Sequence, residues 1–404
     1  MFTHPELRRT ILKLLAFCQA NDWAGYDPYD ALNSKALKAL PFLDSRIPQI
    51  ILTQFLKRSP VNLRPLLLVP KPQHAKGLAL FLAAFLRLAK AHDFDMNQLI
   101  PAMLERIAAL RSPGIAYSCW GYSFPWQTRT ITVPAGAPNL VCTCFVANAL
   151  LDAYEELNDS GCLSMAVSAA EYIVQELYWS RTDSAAGFSY PQPSLQSEVY
   201  NANFLGAALL CRVYKLTGNS KFLAPSLKVA RHAASKQNPD GSWYYGETTF
   251  QRWIDNFHSG YNLCALRSIA RSLDTSEFDP CIRKGFDFYR THFFCQDGAV
   301  RYFHNRTYPI DIHAVAQSII TLVELQDLDG ANVPLAHSVL AWAMRHMWDE
   351  RGFFYYRVLR SYTIRTPYMR WSEAWMFLAM TILLCASLVP SRQAQRESML
   401  EACR

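Results

Sequence analysis

The 404-residue chain predicts an all-α fold, an (α/α) toroid of six or seven helical hairpins. Two observations carry that prediction. A glycine followed by aromatic or apolar residues ending in tyrosine recurs as PGIAY at Gly114, AGFSY at Gly187, DGSWYY at Gly241, DGAVRYF at Gly298 and RGFFYY at Gly352. Consecutive glycines stand 73, 54, 57 and 54 residues apart, and self-similarity at such a period marks a repeat architecture. Around each copy an amphipathic helical segment precedes the glycine, and a more apolar one follows a polar, aromatic loop.

The elements follow in order from this grammar. The N-terminal stretch MFTHPELRRTILKLLAFCQAND has an amphipathic helical pattern with Glu6 early; it lacks a small-residue cleavage site and does not read as a signal peptide. Two less regular units come before residue 110, DWAGYDPYDALNSKALKAL and RSPVNLRPLLLVPKPQHAKGLALFLAAFLRLAK. The 73-residue interval then holds an insertion near 118–138, SCWGYSFPWQTRTITVPAGAPN, whose Trp, Tyr and Pro content fits a lid or wall on a cavity mouth. In a typical later repeat, SKFLAPSLKVARHAASKQ places Phe222, Leu223, Leu227 and Ala230 on an apolar face, and Gly241 supplies the positive φ of the turn.

The second helices share a design. NLVCTCFVANALLDAYEEL, SEVYNANFLGAALLCRVYKL, DNFHSGYNLCALRSIARSL, DIHAVAQSIITLVELQDL and RWSEAWMFLAMTILLCASL have polar or aromatic first turns and mostly apolar later ones. A helix apolar on most sides is buried, so a polar first turn implies that its N-terminal end opens into a cavity. Hairpins packed side by side then close, with first helices outside and second helices inside. An open solenoid shares part of this grammar, but its repeats run roughly 33 to 47 residues with few loop aromatics. No Gly/Ser or Pro-rich linker divides the sequence, so a single domain over 1–404 is expected, with a frayed tail after Pro390.

Composition narrows the function. The hydrophobic fraction of 51% supports a sizeable core, and the aromatic fraction of 13% suits a lined cleft as well as an interior. Net charge is +7, with 28 of the 40 basic residues arginine, the better fork for carboxylates and phosphates. The basic residues are scattered without a stripe, which argues against nucleic acid. Eleven cysteines at irregular spacing read as reduced thiols of a cytoplasmic protein. Cys142 and Cys144 lack neighbouring ligands for zinc, and no metal or organic cofactor site is recognisable. The apolar runs GLALFLAAFLRLA and AWMFLAMTILLCASLV are too short to span a bilayer. Phosphate-cradling loops, Rossmann glycines and a G-x-S-x-G elbow are absent.

Five motifs, WGYSFPWQTRT, APNLVCTCFVANALLDAYEE, QNPDGSWYYGE, WIDNFHSGYNL and RWSEAWMFLA, together resemble bacterial exopolysaccharide-cluster proteins related to the six-hairpin glycosidases, over about Gly114 to Leu388. The resemblance implies an (α/α) toroid and a role in polysaccharide biosynthesis or processing. QNPDGSW also matches the Q-x-x-x-G-x-W pattern of terpene cyclases, but it occurs once and without an Asp-rich protonating motif, which argues against a cyclase.

Candidate site residues cluster at the starts of inner helices. In WIDNFHSGYN, Asp255, His258 and Asn262 fall at i, i+3 and i+7 on one face. Asp255 is also an ordinary N-cap, but a cap does not account for the histidine one turn later. As a pair, the carboxylate tunes the imidazole for acid and base work on a sugar. YPIDIHAVAQ echoes it with Asp311 at a helix start and His313 and Gln317 at i, i+4. PYMRWSEAW sets Arg370 and Glu373 at i, i+3 between Trp371 and Trp375, and QSEVYNANF offers Asn201, whose amide suits sugar hydroxyls. The reading assigns catalysis to Asp255 and His258, with Asp311 or Glu373 as the second group across the cavity. Trp126, Trp243 and Trp371 are expected to stack on sugar rings, with Tyr261 and His313 contacting substrate. Arg129 and Arg370 are expected to pair a substrate carboxylate. The expected substrate is an acidic oligo- or polysaccharide, lipid-linked in one version, met during exopolysaccharide assembly with partners from that machinery. Glycoside hydrolase, uronate lyase and sugar epimerase chemistry all remain open, beside a non-catalytic glycan-binding or scaffold toroid.

Overall fold

The computed structural model describes residues 3–36, 45–91, 94–128, 131–182 and 184–388. Its helices run α1 (His4–Ala20), α2 (Arg46–Arg58), α3 (Ala75–Lys90), α4 (Leu99–Ala109), α5 (Leu140–Leu157), α6 (Ser160–Tyr172) and α7 (Tyr200–Thr217). They continue as α8 (Leu223–Ser235), α9 (Asn256–Leu273), α10 (Asp279–Phe293), α11 (Ile312–Glu324), α12 (Asn332–His346) and α13 (Ala374–Leu388). Helices α3, α5, α7, α9, α11 and α13 pack each on the next, and α13 packs back on α3. The ring is therefore closed, an (α/α) toroid with six inner helices. Helices α4, α6, α8, α10 and α12 cover α3, α5, α7, α9 and α11, and α1 covers α13. The sixth hairpin is thus assembled from helices at opposite ends of the described chain.

Local sequence explains the layers. Outer α1 opens with a capping box between Thr3 and Glu6 and turns Leu7, Ile11, Leu14 and Cys18 inward. Inner α13 is buried on every side from Ala374 to Leu384, where each large apolar side chain contributes about 1.5–3 kcal/mol. The described part of the irregular unit at 22–40 forms no helical hairpin; it holds a 3₁₀ turn at Asp30–Asn33, and residues 37–40 lie outside the described residues. Helix α2 stands apart from the ring, packed on that turn and on the two-residue strand Trp126–Gln127.

The repeated glycines reveal how hairpins are spaced. Gly241 and Gly352 take φ of 94° and 97°, in the region that side chains resist. A Cβ on Gly241 would lie 2.3 Å from the Lys284 carbonyl of α10, and one on Gly352 would lie 2.7 Å from the Lys13 carbonyl of α1. Gly298 meets α12 in the same way. Each turn is wedged under the next outer helix, and the last is wedged under the first. Gly187 departs from the expectation. It sits in the two-stranded ladder of Tyr178–Ser180 with Ala186–Phe188, and glycine is needed there because Trp179 covers it at 2.4 Å from a built Cβ. Among the described residues no helix is long and apolar enough to cross a membrane, and no disulfide joins any two of the ten described cysteines.

Candidate active site

The N-terminal ends of all six inner helices meet one cavity of about 1310 Å³, lined by Lys76 of α3, Val141 of α5, Asn201 of α7, His258 of α9, His313 of α11 and Trp371 just before α13. Residues of the 118–138 insertion, including Tyr122, Phe124 and Trp126, form part of its wall. Helix N-termini carry unsatisfied N–H groups and partial positive charge, so six of them facing one space favour an anion. The side chains agree: seven Lys and Arg but three carboxylates, Asp255, Glu198 and Glu247, line the cavity. Of these, Glu198 is bonded to His232 at 3.2 Å.

Asp255 caps α9, accepting the His258 backbone N–H at 3.0 Å. Its other oxygen accepts His258 Nδ1–H at 2.7 Å and Trp253 Nε1–H at 2.8 Å. One carboxylate therefore both caps the helix and holds the imidazole. With Nδ1–H committed to an acceptor-only carboxylate, His258 keeps its lone pair on Nε2, which has no protein partner among the described residues. Tyr245 flanks the imidazole with ring centroids 4.7 Å apart and stacks in turn on Trp253 at 4.5 Å.

One turn deeper, the Tyr261 hydroxyl and His313 Nε2 share a hydrogen bond of 2.6 Å. Burial, then the charges of Lys76 and Arg370, hold His313 well below the usual imidazole range, so it is neutral. Its Nδ1 is buried without a partner, as are Asn201 Oδ1 and Trp126 Nε1 in the same lining. Orphaned polar atoms of this kind need a ligand or water to satisfy them.

The expected echo of Asp255 at Asp311 is only partial. Asp311 caps α11 through the His313 N–H at 3.0 Å, but its second oxygen takes Arg357 Nε and Nη2 at 2.9 and 2.6 Å. Trp371 Nε1 donates to the first oxygen, the one that caps the helix, at 3.0 Å. Asp311 is fully buried beneath the lining and turns no oxygen toward His313's ring. It acts as a brace for Arg357 and Trp371, both of which do line the cavity.

Three expectations are corrected outright. Glu373 does not face the cavity: it is fully buried, accepts the Phe354 N–H at 3.0 Å, and burial keeps its carboxyl protonated well above the usual carboxylate range. The i, i+3 pairing with Arg370 fails because residues Met369–Glu373 wind as a π-turn, with i→i+5 bonding. Arg370 lines the cavity but already has a partner, with Nε and Nη2 on Asp27 at 2.7 and 2.6 Å. Trp243 is a packing anchor, wedged against Gly285 and Phe204 with its Nε1 on the Ala233 carbonyl at 3.2 Å. Arg129 lies outside the described residues. Trp126, Asn201, Tyr261, His313 and Trp371 all reach the lining as expected.

The sequence reading missed Lys57, Lys76, Tyr302 and Arg357. Lys57 comes from α2, which also gives Ile50, Thr53 and Gln54 to the lining; its amine sits 2.5 Å from the Tyr29 hydroxyl, and burial with Arg357 nearby pushes it down to about 7. Lys76 could have been found, since PKPQHAKGLALFLAAF has the same polar first turn as the recognised inner helices.

No family model and no curated protein sequence matches the chain. Solved structures match in shape. A sugar epimerase from a ruminal bacterium gives a TM-score of 0.60 at 14% identity, over 79% of this chain and 88% of that one. A GH76 α-mannanase from Bacteroides thetaiotaomicron gives 0.60 at 11% identity, over 77% and 86%. A cellobiose 2-epimerase from Bacillus thermoamylovorans gives 0.57 at 10% identity, over 78% and 88%. At these identities the likeness establishes the (α/α) toroid fold alone.

Proposed function

We propose that the chain is a carbohydrate-active enzyme that acts on an acidic oligo- or polysaccharide by proton transfer at a sugar carbon, as a uronate lyase or a sugar epimerase. The observation that carries this reading is His258: a base with a free Nε2, braced by Asp255, inside a cationic ring of helix N-termini. A proton beside a carboxylate or carbonyl becomes removable when positive charge meets the negative charge that develops on oxygen, and an imidazole with an open Nε2 is a suited acceptor. Tyr261 lies one turn away from His258 on the same helix and is placed to return a proton from another direction.

Two-carboxylate hydrolysis is less well served. It needs two available acid groups flanking the scissile bond, roughly 5 to 9.5 Å apart. Here Asp255 is committed through both oxygens and Glu198 is paired, which leaves the exposed Glu247 as a single uncommitted carboxylate in the lining among the described residues. The sugar epimerases and the α-mannanase among the structural neighbours support a sugar substrate without choosing the reaction. The exopolysaccharide setting, with partners from its machinery and a cytoplasmic location, is proposed on the motif resemblance; the described cysteines, none of them in a disulfide, are consistent with it. A lipid carrier on the substrate is supported by α2, whose outer face exposes Ile47, Ile51 and Phe55 while Ile50, Thr53 and Lys57 line the cavity. From Ser45 to Ala91 the sequence has eight Lys and Arg and no Asp or Glu, which suits an anionic bilayer surface. Flotation with anionic vesicles reads that part, and protein that stays at the bottom of the gradient removes it.

The deciding experiment incubates the protein with purified acidic exopolysaccharide in D₂O. New unsaturated-uronate absorbance reports elimination, and deuterium at a ring carbon without chain cleavage reports epimerisation. Asp255→Asn and His258→Ala should each abolish the signal while the melting temperature stays within a few degrees. New reducing ends with neither unsaturation nor deuterium would identify a hydrolase, and saturable binding with no turnover would leave a glycan-binding toroid.

A further inference from the structure

Four buried basic side chains line the cavity, and the protein supplies partners for three of them. Arg370 is paired with Asp27, Arg357 with Asp311, and the Lys57 amine is bonded to the Tyr29 hydroxyl. Lys76, in the first turn of α3, is 3% exposed, and its amine has no hydrogen bond or ion pair among the described residues. Three rings face it: Phe145 with its centroid 4.0 Å from Nζ, Trp375 at 5.2 Å and Tyr261 at 5.5 Å. Phe145 and Trp375 lie below the lining, so Lys76 marks the cavity floor. Aromatic faces attract a cation but do not accept its N–H bonds in line, and an ammonium so desolvated is costly to fold around. The nearby ionisable groups offer no anion. Burial pushes the α5 thiol of Cys142 up to about 12 and that of Cys144 higher still, Tyr122 and Tyr261 are raised well above the usual phenol range, His313 is neutral, and Asp27 is taken by Arg370.

We propose that Lys76 is the anchor for the carboxylate of the sugar acid, the substrate supplying the counter-ion that the fold leaves out at the cavity floor. This rests on the acidic-sugar reading above and specifies the residue that enforces it. A uronate carboxylate on Lys76 sets the sugar against Tyr261, whose ring lies 5.5 Å from the amine and one turn along α9 from His258. It also replaces Arg129 and Arg370 in the role that the sequence first suggested. Because burial and Arg370 hold the free amine well below the usual lysine range, carboxylate binding draws a proton onto Lys76, and the complex takes up a proton that a neutral sugar does not.

The test is calorimetric titration of the full chain with glucuronate and with glucose, in buffers of different ionisation enthalpy, for the wild type and Lys76→Met. The wild type should prefer glucuronate and take up a proton on binding it. Lys76→Met should lose about 30-fold or more in glucuronate affinity, the range for truncating one member of a desolvated charge pair. It should bind glucose as before, lose the proton uptake, and melt no lower than the wild type, since methionine fills the same space without a desolvated amine. Glucuronate preference that survives in Lys76→Met, or wild-type binding without proton uptake, overturns the assignment of Lys76 and leaves the acidic-sugar reading standing. A wild type that does not prefer glucuronate, or that binds neither sugar, overturns both.

Discussion

Replacing Asp311 by asparagine isolates what a buried charge does beneath the cavity. The swap preserves shape, and asparagine is as good an N-cap as aspartate. Its oxygen can keep the bonds from the His313 N–H and Trp371 Nε1, both of which converge on Oδ1. The Oδ2 position then becomes an NH₂ that faces Arg357 Nε and Nη2 at 2.9 and 2.6 Å, donors against donors. Register makes relief difficult, because the short antiparallel pairing of Ile310–Asp311 with Arg357–Val358 sets the two residues directly opposite. Arg357 has the Tyr302 and Tyr356 rings at 5.1 and 4.7 Å but no second carboxylate among the described residues. Removing one side of a buried pair costs about 3–5 kcal/mol, against about 1 kcal/mol for an ordinary hydrogen bond. Guanidinium-chloride unfolding followed by far-UV circular dichroism should show the larger loss as a shift of midpoint at constant slope. Arg357→Met on the same background should recover most of it, with a coupling energy of about 2 kcal/mol or more in the double-mutant cycle. A loss below about 1 kcal/mol for Asp311→Asn, or coupling near zero, would refute the argument that this pair is a buried brace.

Two further predictions test the corrected placements. The folded state holds a proton on Glu373 that the unfolded chain releases above its ordinary value of 4.5, so the carboxyl's contribution to stability is full below that pH and is lost as pH rises. Glu373→Gln keeps a neutral acceptor for the Phe354 N–H and should melt at or above the wild type at neutral pH, the gap closing toward pH 4.5. Turnover should remain within about two-fold, and a loss of about 100-fold or more at unchanged melting would return Glu373 to the acid–base chemistry. Trp243→Ala should destabilise by about 3–5 kcal/mol and leave glycan affinity of the folded protein unchanged; affinity lost at unchanged stability would contradict its role as an anchor.

The toroid was legible because its signals are local. Gly241, Gly298 and Gly352 each need a positive φ, and each precedes the same aromatic loop, so the period could be read without any tertiary knowledge. The number of hairpins was not legible, because the sixth joins α1 to α13 and no spacing connects residues so far apart. The site divides in the same way. Asp255 and His258 interact within one turn of one helix, and that turn displays both. Asp311's partner Arg357 and Arg370's partner Asp27 lie 46 and 343 residues away, and such pairings leave no mark in a sequence window. Glu373 and Trp243 were misplaced for a related reason. A π-turn shifts the face of one, and a neighbouring glycine, Gly285, opens a slot for the other.

The hairpin made of α1 and α13 has a consequence for the ribosome-bound chain. Proteins are made from the N-terminus at roughly 5–20 residues per second, so α1 emerges about 20 to 70 s before the helix it covers. Over that interval Leu7, Ile11 and Leu14 have no surface to bury against, and Asp27 waits for Arg370. The nascent protein is an unclosed arc with a greasy leading edge, a natural client for a holding chaperone. When α13 arrives, the arc shuts and the cavity wall gains Trp371 and Arg370 in the same event, so the cavity is complete only in a finished ring.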